Sequence, residues 1–104
     1  MTEKQIQNEI MHYLSDKPLR IWRQNTGVAR HNGRVVRYGI PGQADLSGIL
    51  AGGVRLEIEV KTVKGRQSDA QKNWQKMIEK YGGVYILARS VDDVERYFME
   101  NNIL

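Results

Sequence analysis

The sequence predicts an α/β fold, a mixed β-sheet flanked by helices, and three observations carry that reading. Apolar residues recur at helical spacing, then in strand-like runs, then again as helix, strand and helix. Val84 to Ala88 is wholly apolar, the pattern of a strand buried on both faces. At 104 residues, with no repeat and no internal linker, the chain has material for one hydrophobic core, so 1–104 reads as a single domain.

Each element has its own local signal. Thr2 followed by Gln5 fits a capping box, and Ile6, Ile10, Tyr13 and Leu14 then mark a helix that should end before Pro18. Leu19 to Arg23 reads as a strand, with Thr26-Gly27 turning the chain. Val28 to His31 and Arg34 to Tyr38 flank Asn32-Gly33, a strong two-residue hairpin signal. Gly39, Pro41 and Gly42 break regular structure before two further strands, Ala44 to Leu50 and Val54 to Lys61, joined around Ala51-Gly52-Gly53. A basic connection read as flexible, Thr62 to Gln67, leads to a second capping box at Ser68 and Gln71. The helix it opens should carry Trp74, Met77, Ile78 and Tyr81 on one face and stop at Gly82-Gly83. Ser90 caps a last helix with Val94, Tyr97 and Phe98 inward.

Composition removes several functions. Without cysteine there is no disulfide framework, thiolate nucleophile or zinc-thiolate site. No apolar run approaches the roughly 20 residues of a membrane helix. The polar start, Met-Thr-Glu-Lys-Gln, lacks the apolar segment of a secretory signal, so a cytoplasmic protein is the expectation. No glycine-rich phosphate loop, Ser-His-Asp order or zinc spacing is present. The net charge is +4, and its distribution matters more than its size. Residues 17–44 carry Lys17, Arg20, Arg23, Arg30, Arg34 and Arg37 with no acid, whereas 45–104 balance to zero. That excess suits a polyanion such as nucleic acid, although arginines are also common on solvated strands.

The chemistry concentrates in the two middle strands. Alternation along Val54 to Lys61 puts Leu56, Ile58 and Val60 on one face and Glu57, Glu59 and Lys61 on the other. A three-residue loop at Ala51-Gly52-Gly53 pairs Leu50 with Val54, Leu46 with Ile58 and Asp45 with Glu59. A two-residue loop would send the carboxylates to opposite faces. The apolar pairs favour the longer loop. Directly opposed carboxylates repel, and a divalent cation removes that penalty; carboxylate oxygens plus water suit Mg²⁺ or Mn²⁺. Lys61, on the same face, can reach a phosphate or the attacking water. A lone Glu-x-Lys triplet is commonly a solvent-exposed ion pair, so the pairing with Asp45 carries the argument.

Pro41-Gly42-Gln43-Ala44-Asp45 followed by Glu59-Val60-Lys61 resembles the PD-(D/E)XK nuclease signature. The wider order is similar to one branch of it, the virus-type replication-repair nuclease (VRR-NUC) domain. The shared features are a helical acid (Glu9), an Asn/Gly/Arg-rich hairpin, the Gly39 to Gly42 turn, and Ser68, Gln71 and Trp74 at a helix start. Ala44 departs from a proline often found there. The resemblance implies a restriction-endonuclease-like core and a Mg²⁺/Mn²⁺ site held by Asp45, Glu59 and the Val60 carbonyl. It further implies that Lys61 positions the water, with Glu9 and Gln71 in support. It also implies homodimers acting on branched DNA, four-way junctions included.

The residues expected to touch DNA are Arg23, Arg30, His31, Arg34, Arg37, Lys64 and Arg66. His31 reads as a phosphate contact or a plain surface residue rather than a base. Trp74 reads as core. Trp22, between Arg20 and Arg23, could pack inward or stack on a base. His12 should face solvent. Gln71 is already explained by its cap, and Glu9 only flanks the apolar stripe of its helix. The expected function is a metal-dependent, structure-selective DNA endonuclease. The alternatives are a non-catalytic DNA-binding module on a nuclease-like fold and a monomeric flap or nicking nuclease.

Overall fold

The computed structural model describes residues 1–24 and 27–103, with Gly27 and Tyr38 described by backbone alone. The turn expected at Thr26-Gly27 begins outside those residues. Three helices, α1 (Glu3–Leu14), α2 (Asp69–Lys80) and α3 (Val91–Glu100), accompany six strands. These are β1 (Arg20–Arg23), β2 (Gly27–His31), β3 (Arg34–Tyr38), β4 (Leu46–Ile49), β5 (Arg55–Val60) and β6 (Val84–Ala88).

Local chemistry sets the helix starts. Gln5 N–H donates to Thr2 Oγ1 at 3.1 Å and Thr2 N–H to Gln5 Oε1 at 2.7 Å. Ser68 and Gln71 repeat the box on α2, at 3.2 and 2.8 Å. In α3 the Ser90 hydroxyl accepts from Asp93 N–H. On α2 the apolar stripe ends earlier than expected. Tyr81 is exposed with Lys80 over its ring, because the helix closes at Lys80 and Gly82, at φ 85°, turns the chain away.

The main sheet runs β1-β4-β5-β6, antiparallel except for the β5–β6 pair. A parallel neighbour needs a crossover, and α2 supplies it. One face packs on α1 and α3 through Ile6, Ile10, Leu14, Leu46, Leu56, Ile58, Val60, Val94 and Phe98. The other meets α2 through Ala44, Ile78 and Tyr85, with Trp74 and Met77. In the described sheet β6 is an edge strand. Its Tyr85, Ile86 and Ala88 are buried, while Val84 and Leu87 are only partly covered.

The β4–β5 register is the one the apolar residues demand: Leu46 opposite Ile58 and Gly48 opposite Leu56. Leu50 N–H donates to the Val54 carbonyl at 2.8 Å, closing the three-residue connection. Gly52 and Gly53 take φ 81° and 79° there, which side chains disfavour. β2 and β3 form a separate two-stranded sheet around Asn32 and Gly33, both at positive φ. Val28, Val35 and Val36 on this hairpin are 57%, 59% and 46% exposed. A two-stranded hairpin is marginal alone in water. No helix among the described residues is long and apolar enough to cross a membrane.

Candidate active site

Asp45 immediately precedes β4, and continuing the β4–β5 register by one residue sets it opposite Glu59. The turn leading to it is docked, not free. Gly42 has φ +86°, and a Cβ there would lie 2.3 Å from the Ala70 carbonyl oxygen, so only glycine lets the turn lie against the first turn of α2. Gln43 Oε1 accepts the Ile40 N–H at 3.0 Å and closes the same loop. The Asp45 carbonyl accepts from Gln24 N–H at 2.9 Å, extending the β1 ladder. Its carboxylate Oδ2 accepts from Val60 N–H at 2.8 Å.

Glu59 is only 2% exposed, although it lies on the polar side of its strand. Lys61 Nζ lies 3.9 Å from Glu59 Oε2. Among the described residues Glu59 Oε1 is buried with no hydrogen-bond partner, and so is the Ser47 hydroxyl one register row away on the same face. Buried polar atoms are nearly always satisfied, so this unpartnered carboxylate oxygen beside a second carboxylate is where a cation could bind. Among the described residues no group of three or more His, Cys, Asp or Glu could hold a metal by itself. A cation here could draw on the two carboxylates, Asp45 and Glu59, and on the Val60 carbonyl, with water completing the shell. Mg²⁺ and Mn²⁺ fit that donor set.

The unneutralised site is costly. Burial first, then the neighbouring Asp45, raises the Glu59 carboxyl to about 9; Lys61 opposes the shift and Glu3 adds to it. A raised folded-state value means that the folded chain holds a proton the unfolded chain has released. Stability from this group is thus complete below about 4.5 and is lost as pH rises through about 9. In chelator, the melting temperature should fall between pH 5.5 and 8.5, on the order of 1 kcal/mol per pH unit at most from this group. A flat profile would mean that Glu59 is already ionised in the metal-free fold.

Around this centre the fold rearranges several expectations. Glu9 and Glu3 are both exposed on α1, and of the influences on the Glu59 carboxyl the charge of Glu3 is the smallest. Gln71 commits Oε1 to the Ser68 cap. Arg23 lies opposite Leu46, on the α1 side of the sheet, and its guanidinium donates to Asn8. It is therefore on the wrong face for the carboxylates. Arg30, His31, Arg34 and Arg37 are exposed on the β2–β3 hairpin, Arg30 and Arg37 on one face and His31 and Arg34 on the other. Lys64 and Arg66 are exposed just beyond Lys61. His12 faces solvent as expected.

Glu57, fully buried, shares the face of Glu59 and has both carboxylate oxygens hydrogen-bonded. Trp74 Nε1–H donates to Oε1 at 2.7 Å, and Arg55 Nε–H donates to Oε2 at 3.2 Å. Trp74 is thus a hydrogen-bonding strut of α2 and not simple core filler. Trp22 occupies the same register row as Ser47 and Glu57, half-buried, with the Arg55 guanidinium 5.9 Å over its ring. The 62–67 connection is tethered instead of flexible. Gln67 Nε2 donates to Gln75 Oε1 at 2.9 Å and to the Tyr85 hydroxyl at 3.2 Å, and Arg89 binds its carbonyls.

No family model matches the chain, and no curated protein sequence matches it. A solved structure described as a VRR_NUC domain aligns with it at TM-score 0.67 and 20% identity, covering 94% of each chain. At that identity the likeness is one of fold.

Proposed function

We propose that this chain, with its VRR_NUC-type fold, is a Mg²⁺- or Mn²⁺-dependent DNA endonuclease that acts on branched DNA as a homodimer. The observation that carries the reading is the Asp45–Glu59–Lys61 cluster, in which Glu59 is buried with one unpartnered oxygen and Asp45 and Lys61 are partly buried. Asp45, Glu59 and the Val60 carbonyl would hold the cation, which supplies Lewis acidity toward a phosphodiester and makes water a better nucleophile. Asp45 also braces the Val60 backbone through its N–H, so one carboxylate fixes the strand end that offers the carbonyl. Lys61, held beside Glu59, presents an ammonium where charge develops on the phosphate. Glu3 adds negative charge at the same end of the sheet.

The exposed β2–β3 hairpin supports the dimer. Its valines on both faces gain cover from a second copy, and a closed two-fold pair sets two sites at fixed separation for cutting two strands. Incubation with single-stranded, duplex, flap, fork and four-way DNA, with and without Mg²⁺ or Mn²⁺, tests the activity. Cleavage should require metal and be strongest on branched substrates. Light scattering at micromolar concentration should give twice the 12.0 kDa chain mass. Binding without cleavage in either metal would favour a DNA-binding module. A monomer that persists on four-way DNA would favour flap or nicking activity.

A further inference from the structure

We propose that Arg89 is a positioning residue for Lys61, acting through the Thr62–Gly65 turn. Its Nη1 donates to the carbonyls of Thr62 at 2.6 Å and Gly65 at 2.8 Å, and more distantly to Val63 at 3.4 Å. The turn is closed by Gly65 N–H donating to the Thr62 carbonyl at 3.0 Å. Gly65 then lies against the Lys61 stem, since a Cβ on it would be 3.3 Å from both Cβ and Cδ of Lys61. From the guanidinium to the lysine stem the chain of contacts is continuous. It rests on the nuclease reading only for its consequence in turnover.

Other features show that this tether is what restrains the lysine. Lys61 is 15% exposed, yet Val63, two residues on, is 84% exposed, so the turn has left the core and core packing cannot hold it. Arg89 is well placed to do so because both of its ends are anchored. Its backbone N–H donates to Asp93 Oδ2 at 2.8 Å in the first turn of α3, and the preceding Ala88 carbonyl accepts from Lys61 N–H at 3.0 Å. Among the described residues its guanidinium has no carboxylate within ion-pair distance; it is spent on carbonyls. All three contacts come from Nη1, the far end of the side chain, one bond beyond where a lysine Nζ would sit, on a planar group and not a freely rotating ammonium. Arg89→Lys therefore keeps the charge and loses the geometry.

The test pairs turnover with a readout independent of cleavage: reductive methylation of Lys61, followed by mass spectrometry against the exposed Lys72 and Lys76 as internal references. In Arg89→Ala, Lys61 labelling should rise several-fold over those references. At the same time kcat should fall about tenfold to a hundredfold with KM unchanged, the scale of a small misplacement of a reacting group. Arg89→Lys should resemble the alanine variant. Gly65→Ala, which presses on the Lys61 stem and leaves Arg89 intact, should also lower kcat, and it keeps the idea testable if the arginine variants unfold. Wild-type labelling in Arg89→Ala would overturn the proposal, and weakened DNA binding alongside it would make Arg89 a direct phosphate contact. If the protein cleaves no DNA at all, the labelling result still decides the positioning role.

Discussion

Asp45→Asn and Glu59→Gln are each expected to abolish cleavage while leaving a folded protein that is more stable than the parent in chelator. The cation held here would contribute several kcal/mol of transition-state stabilisation, so losing a ligand carboxylate should cost about a thousandfold or more in kcat. The amides are the informative substitutions. Asparagine keeps an oxygen that can accept the Val60 N–H, now bonded at 2.8 Å, so the strand junction survives and only the charge is lost. Glutamine keeps the volume of a side chain that is 2% exposed, avoiding a cavity. Each removes one member of an opposed acidic pair, which relieves repulsion in the metal-free state. In Glu59→Gln the fall of melting temperature with pH should flatten, because the group responsible no longer titrates. Single-turnover cleavage in Mg²⁺ and thermal melts in chelator measure the two effects. Wild-type turnover in either variant would mean that the metal site has been wrongly assigned.

The second large effect is expected in binding. Replacing Arg30, Arg34 and Arg37 with alanine should weaken DNA affinity and flatten its dependence on salt, by about 0.9 in the log–log slope for each phosphate no longer neutralised. The hairpin geometry sharpens this expectation. Arg30 and Arg37 share one face, while Arg34 lies with His31 on the other, so a single duplex lying on one face engages one set. The Arg30/Arg37 double variant should therefore lower the slope by about two units if that face meets DNA, with Arg34→Ala adding little. Turnover at saturating DNA should hold, because none of these residues touches the carboxylates. An unchanged slope in the triple variant would place DNA elsewhere, with Lys64 and Arg66 beside the Lys61 turn the next residues to test.

The parts of this protein legible in its sequence are those governed by local chemistry. Thr2-Gln5 and Ser68-Gln71 announce helix starts because a capping box is complete within four residues. Asn32-Gly33 announces its hairpin because both residues tolerate positive φ. The alignment of Asp45 with Glu59 is legible because strand side chains alternate with period two, and a slip of one would turn Leu46 to the face opposite Leu56 and Ile58.

Other features depend on what packs against what. That Glu57 and Glu59 are buried follows from tertiary packing, with α2 setting Trp74 on Glu57, and nothing in an alternating strand distinguishes that from exposure to water. The Trp74 strut joins residues 17 apart, Arg89 reaches back at least 24 residues to its turn, and Arg23 meets Asn8 across 15. Such contacts have no sequence period, because a side chain's partner is chosen by the surfaces the fold brings together. Residue order alone is enough for the strands, their register and the pairing of the two acids. The burial of Glu59 comes only with the tertiary packing, because segments remote in sequence cover a strand face that alternation alone leaves open.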